Sequence, residues 1–439
     1  MKRILLSAVC VGASMGLVFS LNTSASSAER AVTPNRMAAM PQGYESWKEV
    51  YSVQEFLTKQ VNQIEDGVAH LGNSGYSGAK INFEKREVDV YWKGKPSSAA
   101  RMIFDNAAGR YPIVVRSSEY SRKELTPVAK EFLSTTKNSR LKLADGTSIT
   151  EQEAAFVSVN EDGSGITVGV LKGKGLQKTQ SAASRSGRGA LISEDGRTVD
   201  VDITVEGNAD SAKPQNASRY STPSTGGAVI NMASNDNCST GFGVTQNGSR
   251  FMLTARHCGA TGAAVYYADP QRTPLGTVTN SNTAQDIAIF SISNGSQPDR
   301  RKWTGTSFNQ NSSNGAAHNV TGFGNPAVNG FVYTDGAYLG TSGSNQVQSS
   351  QYYYNLEGNV VGPLYLASNT AGAPASASGN SGGPVYQYTS GSGITATGII
   401  SGGSYIVPCP AGVIASSCTS RVFFSGASRT AETLGLSGF

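Results

Sequence analysis

The chain has 439 residues, room for two or three domains, and 36 Lys and Arg against 31 Asp and Glu give it a formal net charge of +5. So small a basic excess is no argument for a nucleic-acid partner, and none is expected. The five cysteines form no Cys-x-x-Cys and the three histidines no His-Glu-x-x-His, so neither a metal nor a cofactor is expected.

Lys2 and Arg3 precede an apolar run from Ile4 to Leu21, and small residues follow with cleavage points after Ala25 or Ala28. This is the layout of a secretory signal, so residues 1–28 are expected to be removed and the product to be secreted and extracellular. The run is short and broken by Ser and Gly, which argues against a retained anchor, and no stable membrane association is expected. Cys10 leaves with the signal. The four cysteines that remain, Cys238, Cys258, Cys409 and Cys418, are an even number bound for an oxidising compartment, so two disulfides are expected, with three pairings open.

Charge divides the rest of the chain into two materials. From Tyr220 onward lie only 8 of the Lys and Arg and 7 of the Asp and Glu. In the charged first part, Val50, Val53, Phe56, Leu57, Val61 and Ile64 recur at helical spacing and predict a helix over Trp47 to Ile64. Ile81 to Phe83 and Val88 to Trp92 read as paired strands, Ala99 to Phe104 as a short helix, Tyr111 to Val115 as a strand and Thr126 to Thr135 as a helix. Residues 29–205 are therefore expected to hold a compact α+β unit. Gln180 to Gly226 is poor in large apolar residues and reads as linker, with a processing region at 206–226. Residues 227–439 carry brief strand-like runs, such as Phe251 to Thr254, Ala263 to Tyr267, Asp286 to Ile292, Phe331 to Tyr333 and Ile394 to Ile400. Gly, Asn and Ser turns separate them, which predicts an all-β architecture.

Three motifs carry chemistry. Gly379-Asn380-Ser381-Gly382-Gly383-Pro384 sets a serine in a tight glycine turn, where backbone N–H groups can face a substrate carbonyl. A serine hydroxyl attacks poorly unless a base takes its proton, and Thr254-Ala255-Arg256-His257-Cys258 offers one at a strand end. His70 lies among Gly and Ser in the charged part and His318 in a polar stretch, so neither has a comparable setting. Asp286, in Gln285-Asp286-Ile287-Ala288-Ile289-Phe290, leads an apolar run and can orient the imidazole. Asp269, Asp299 and Asp335 are rivals set in turn sequences, where acids commonly serve turn geometry.

The order His, Asp, Ser and these motifs resemble the secreted bacterial chymotrypsin-like serine endopeptidases of the streptogrisin and α-lytic protease group, over about residues 220–439. The resemblance implies a chymotrypsin-like double antiparallel β-barrel of six strands each, with the active site in the cleft, preceded by an α+β pro-domain. It implies His257 as general base and acid, Asp286 as its orienter, Ser381 as nucleophile, and the amides of Gly379 and Ser381 as the oxyanion hole. It implies Cys238 paired with Cys258, and Cys409 with Cys418. Ser401-Gly402-Gly403 resembles the strand that pairs with an extended substrate. Ala375 stands where trypsin-like relatives carry an acid and Ile400 where glutamate-specific ones carry a histidine, which leaves an apolar preference.

Three positions depart from the family pattern. Asn380 replaces an aspartate that normally neutralises a buried cation, so activation by insertion of a new N-terminus is not expected. Arg256 stands where a small residue usually packs, and a cysteine common near the nucleophile is missing. The expected activity is that of a serine endopeptidase made as an inactive precursor, acting on protein or peptide as a monomer with its own pro-region as partner. A non-catalytic protease-fold binding protein and an esterase using the same triad are the alternatives.

Overall fold

A computed structural model describes residues 39–72, 75–134, 139–171, 185–193, 196, 198–209, 224–232, 237–269, 271–293, 297–303, 317–356, 358–391, 393–413 and 415–438. The expected signal segment and most of the expected processing region lie outside the described residues.

The first helix, α1 (Trp47–Ala69), begins where the Ser46 side chain accepts a hydrogen bond from the Glu49 N–H. Val50, Val53, Leu57, Val61, Ile64 and Val68 follow at steps of three and four and are buried. They pack, with α2 (Ser98–Ala107), on a three-stranded sheet of Tyr76–Asn82, Glu87–Lys93 and Ile113–Ser118, the last strand parallel to the second. Helix α3 (Arg122–Leu133) opens with the Glu124 carboxylate accepting the Ser121 N–H at 2.9 Å and buries Leu125, Val128, Phe132 and Leu133.

Beyond Thr225 the architecture is β. One seven-stranded sheet runs Asn237–Ser239, Val229–Met232, Ala264–Tyr267, Pro274–Asn282, Ile287–Ile292, Ser249–Thr254 and Gly243–Gln246. The second barrel closes on itself in six strands: Ile394–Val407, Pro384–Tyr388, Phe331–Thr334, Ser342–Leu356, Asn359–Asn369 and Cys418–Gly426, which pairs back to the first. This is a trypsin-like fold in the C-terminal half behind an α+β N-terminal region, as the sequence predicts. The seventh strand of the first sheet is the difference from the expected six. The short C-terminal helix α4 (Ala427–Leu434) buries Ala427, Ala431 and Leu434 against the strands of both barrels.

The two halves share a sheet and a core. Tyr352 and Tyr353 of the strand Ser342–Leu356 pair with Ser158 and Val157 of Ala154–Val159, so the sheet of the N-terminal half continues that of the second barrel. Phe331 lies in the apolar cluster of α1 and the three-stranded sheet. Gln54 fixes it there: its Oε1 accepts the Phe331 N–H at 2.6 Å and its Nε2 donates to the Phe331 carbonyl at 2.9 Å. Glu161, 2% exposed, accepts from the Ser350 N–H at 2.8 Å and from Arg122 at 2.9 Å. No helix among the described residues is long and apolar enough to cross a membrane.

Part of the expected linker is strand. Arg185–Ile192 and Thr198–Ala209 form an antiparallel pair, from Arg185 opposite Val205 to Ile192 opposite Thr198. Four apolar residues at alternate positions explain it: Val199 is 43% exposed, but Val201, Ile203 and Val205 are buried in one cluster with α3. Composition over the whole segment hides a period of two confined to a few residues.

Candidate active site

Strand pairing brings the expected base and acid together. Ser249–Thr254 ends just before the 3₁₀ turn Arg256–Cys258 that carries His257, and Asp286 immediately precedes Ile287–Ile292. These strands are antiparallel neighbours, with Thr254 opposite Ala288, so the end of one meets the start of the other. Asp286 Oδ1 accepts the His257 backbone N–H at 2.8 Å, and Oδ2 lies 2.7 Å from the ring Nδ1. A carboxylate only accepts, so the ring proton sits on Nδ1 and Nε2 is left as the basic nitrogen. The Asp286 backbone has a φ of 50°, a left-handed conformation that aspartate tolerates, and its carbonyl accepts the Arg256 N–H.

The serine turn is packed against the same strand end. Gly382 has a φ of 83°, and a Cβ there would run into Thr254 Oγ1 and the Ser239 carbonyl oxygen. The Ser381 carbonyl accepts the Ser239 N–H at 2.7 Å, and the Gly382 N–H donates to the Ile400 carbonyl at 2.7 Å. Ser381 is thus held between Ser239 and the residue before Ser401. The neighbouring disulfide, Cys238–Cys258, ties the Ser239 strand to the His257 turn. Gly379 takes a φ of 95°, and among the described residues no carbonyl accepts from the amides of Gly379 or Ser381. Two such uncommitted donors in the Ser381 turn are what a developing oxyanion would require.

Ser239 escaped sequence reasoning. Its Oγ donates to the Gly379 carbonyl at 2.7 Å and accepts the Ala337 N–H at 2.9 Å, so it locks the orientation of the turn. The residue before it, Cys238, was the one signal. Ser401 also has a second role beyond the expected substrate strand, because its Oγ donates to Asp286 Oδ2. Gly402 and Gly403 pair with Phe423 and Val422 on one edge of Ile394–Val407. Cys409 and Cys418 form the second disulfide, and Cys418 sits opposite Ala377 in the strand before the serine turn. Ala375 and Ile400 are fully buried in the core of the second barrel.

The rival acids fall into place separately. Asp269 accepts the Thr273 N–H within its turn, and Asp299 pairs with Arg301. Asp335 is more than a turn residue. Its carboxylate lies 2.8 Å from the Lys302 ammonium with both side chains fully buried, and Lys302 also reaches the Tyr386 hydroxyl at 3.1 Å. A buried cation is thus present in the second barrel, and its carboxylate partner is Asp335. Asn380 Oδ1 instead lies 3.3 Å from the amides of Tyr338 and Leu339, and its Nδ2 has no partner among the described residues. Arg256 is half-buried and forms no ion pair among the described residues. His318 meets the Tyr388 hydroxyl at 3.3 Å, and its pKa is pushed down by burial and by Lys302. His70 caps the end of α1.

Donor atoms of Cys238, His257 and Cys258 lie within 4.8 Å of one another, but both sulfurs are joined in the disulfide and offer no thiolate to a metal.

Among solved structures, the chain is similar to Thermobifida fusca protease A at 25% identity, covering 49% of this chain and 97% of that one with a TM-score of 0.38. It is similar to a glutamic-acid-specific serine protease at 22% identity, covering 49% of this chain and 100% of that one, also at 0.38. The Cellulomonas bogoriensis chymotrypsin matches at 24% identity over 49% of this chain and 97% of its own, with a TM-score of 0.36. Residues 214–417, a little under half of the chain, match the family model described as Trypsin, and that match supports a peptidase.

Proposed function

We propose that the protein is a secreted serine endopeptidase that hydrolyses peptide bonds through Ser381, His257 and Asp286 and is made as a precursor. One observation carries this reading: the His257 ring is fastened to Asp286 while the glycine turn of Ser381 packs on the strand that delivers His257. Nε2 takes the Ser381 proton as Oγ attacks the carbonyl, and later gives it to the leaving amine. The Asp286 carboxylate stabilises the imidazolium. The Gly379 and Ser381 amides take the oxyanion, each such donor being worth about 10²- to 10³-fold in rate. The extended substrate lies along Ser401-Gly402-Gly403 by strand addition, and the absence of charge at Ala375 and Ile400 favours an apolar side chain on the acyl side of the cut. The N-terminal half, joined through a continuous sheet and through Phe331, is the pro-region, and cleavage falls within about 206–226.

The test is to express the full chain, treat the secreted product with a serine-directed phosphonate and map the adduct by mass, with Ser381→Ala as control. An adduct on Ser381 that is absent from the variant is expected. A product that hydrolyses neither peptide nor ester and takes no label sinks the reading. Label with ester but no peptide hydrolysis would leave an esterase. The N-terminus of the active product, read from the same sample, tests the cut.

A further inference from the structure

We propose that Tyr354 is a positioning residue of the triad, acting on Asp286 through Ser401; this rests on the triad reading above. The Tyr354 hydroxyl lies 2.9 Å from Ser401 Oγ, and all three side chains are buried. A serine hydroxyl has one proton, and Asp286, as a carboxylate, can only accept. The Ser401 proton is therefore committed to Asp286 Oδ2, and the Tyr354 proton points into a Ser401 lone pair. The chain of donors runs in one direction, from Tyr354 to Ser401 to Asp286, and each link polarises the next. Burial, and then the nearby Asp286 charge, hold the Tyr354 pKa well above its ordinary value, so the phenol remains a donor.

The consequence is geometric and electrostatic. The Asp286 carboxylate receives three hydrogen bonds, two from His257 and one from Ser401. Without Tyr354 the Ser401 hydroxyl can rotate, which loosens the third bond and leaves more negative charge facing the imidazole. Tyr354 is itself held rigidly: it sits opposite Val361 in the paired strands Ser342–Leu356 and Asn359–Asn369, and its ring lies 4.9 Å from that of Phe423. The same pair of strands touches the catalytic acid's turn a second time, where the Gly362 N–H donates to the Ala284 carbonyl at 2.8 Å.

The test uses the secreted product of the full chain in four forms: wild type, Tyr354→Phe, Ser401→Ala and the double variant. Kinetics are read on the best member of a succinyl-Ala-Ala-Pro-X anilide series, and Ser381 labelling by the phosphonate is read in parallel. Phenylalanine keeps the ring packing and removes the donor. Expected for Tyr354→Phe are a kcat lowered about 3- to 10-fold with KM nearly unchanged, and an acid limb of the kcat/KM profile moved upward in pH. In the Ser401→Ala background the same substitution should have no further effect, because its path is already cut. A Tyr354→Phe enzyme that matches wild type in kcat and pH profile overturns the proposal, as does an equal loss in the Ser401→Ala background, which would mark a structural role. If wild type neither turns over nor takes label, the triad reading falls and this one with it; if wild type is labelled and Tyr354→Phe is unaltered, only this one falls.

Discussion

Asp286 holds His257 at two points, the backbone N–H at 2.8 Å on one carboxylate oxygen and the ring Nδ1 at 2.7 Å on the other. The double grip fixes the position of the 3₁₀ turn as well as the tautomer of the ring. The two functions can be separated by an isosteric change.

Asp286→Asn keeps the shape of the side chain but offers a donor as well as an acceptor, which favours the wrong tautomer of His257. Its kcat should fall by about 10⁴, the loss measured for this change in a Ser-His-Asp triad elsewhere, with KM little altered. Steady-state kinetics check it, and a loss below tenfold would remove Asp286 from the triad.

Gly382→Ala tests the packing of the serine turn on the His257 strand. A Cβ at a φ of 83° costs about 1–3 kcal/mol in backbone strain, and here it also meets Thr254 Oγ1 and the Ser239 carbonyl. The turn must shift, and the phosphonate labelling rate at Ser381 should fall at least about 100-fold, since misplacement by about 1 Å costs that much. A variant labelled at the wild-type rate would show that the turn is not seated there.

Lys302→Met strands the Asp335 carboxylate in the core without its cation. Removing one partner of a buried pair destabilises by about 3–5 kcal/mol, whereas replacing both with apolar residues is often near neutral. Urea unfolding should therefore show Lys302→Met far less stable than Lys302→Met combined with Asp335→Leu. Equal stability of the two would mean that the pair is not buried as described.

Glu65 gives the N-terminal half a dependence on acid. Burial works against its ionisation, but the Arg122 charge and hydrogen bonds from Arg122 and Tyr76 outweigh this, and its pKa lies below the ordinary value of 4.5. A pKa lower in the folded than in the unfolded chain means that the unfolded state binds more protons as the medium turns acid. The stabilisation is therefore fully present above about pH 4.5 and is lost as pH falls through the folded value. Thermal unfolding of the full chain from pH 6 to pH 2 should show a steeper decline for wild type than for Glu65→Gln. Parallel curves would mean that Glu65 is not held ionised.

Legibility in the sequence followed the range of the interactions. The helix α1 could be read because Val50 to Val68 repeat within one element and Ser46 caps it. The strand Thr198–Ala209 could not, because its four alternating apolar residues sit in a stretch whose composition argues for linker. His257, Asp286 and Ser381 could be put forward from the sequence because each lies in a short motif. Ser239, Tyr354 and the Lys302–Asp335 pair lie in none, and Asp335 in particular has the local sequence of an ordinary turn.

The sequence by itself determined the residue types able to carry acyl transfer, their order, the division into charged and uncharged halves, and a glycine turn with room for a close approach. Only the tertiary structure decided which acid meets His257, that Asp335 pairs with the buried Lys302, and that Ser401 joins Tyr354 to Asp286. The reason is physical: a turn or an amphipathic face is dictated by neighbours a few residues away, whereas a buried polar group is satisfied by whatever the strand pairing brings beside it.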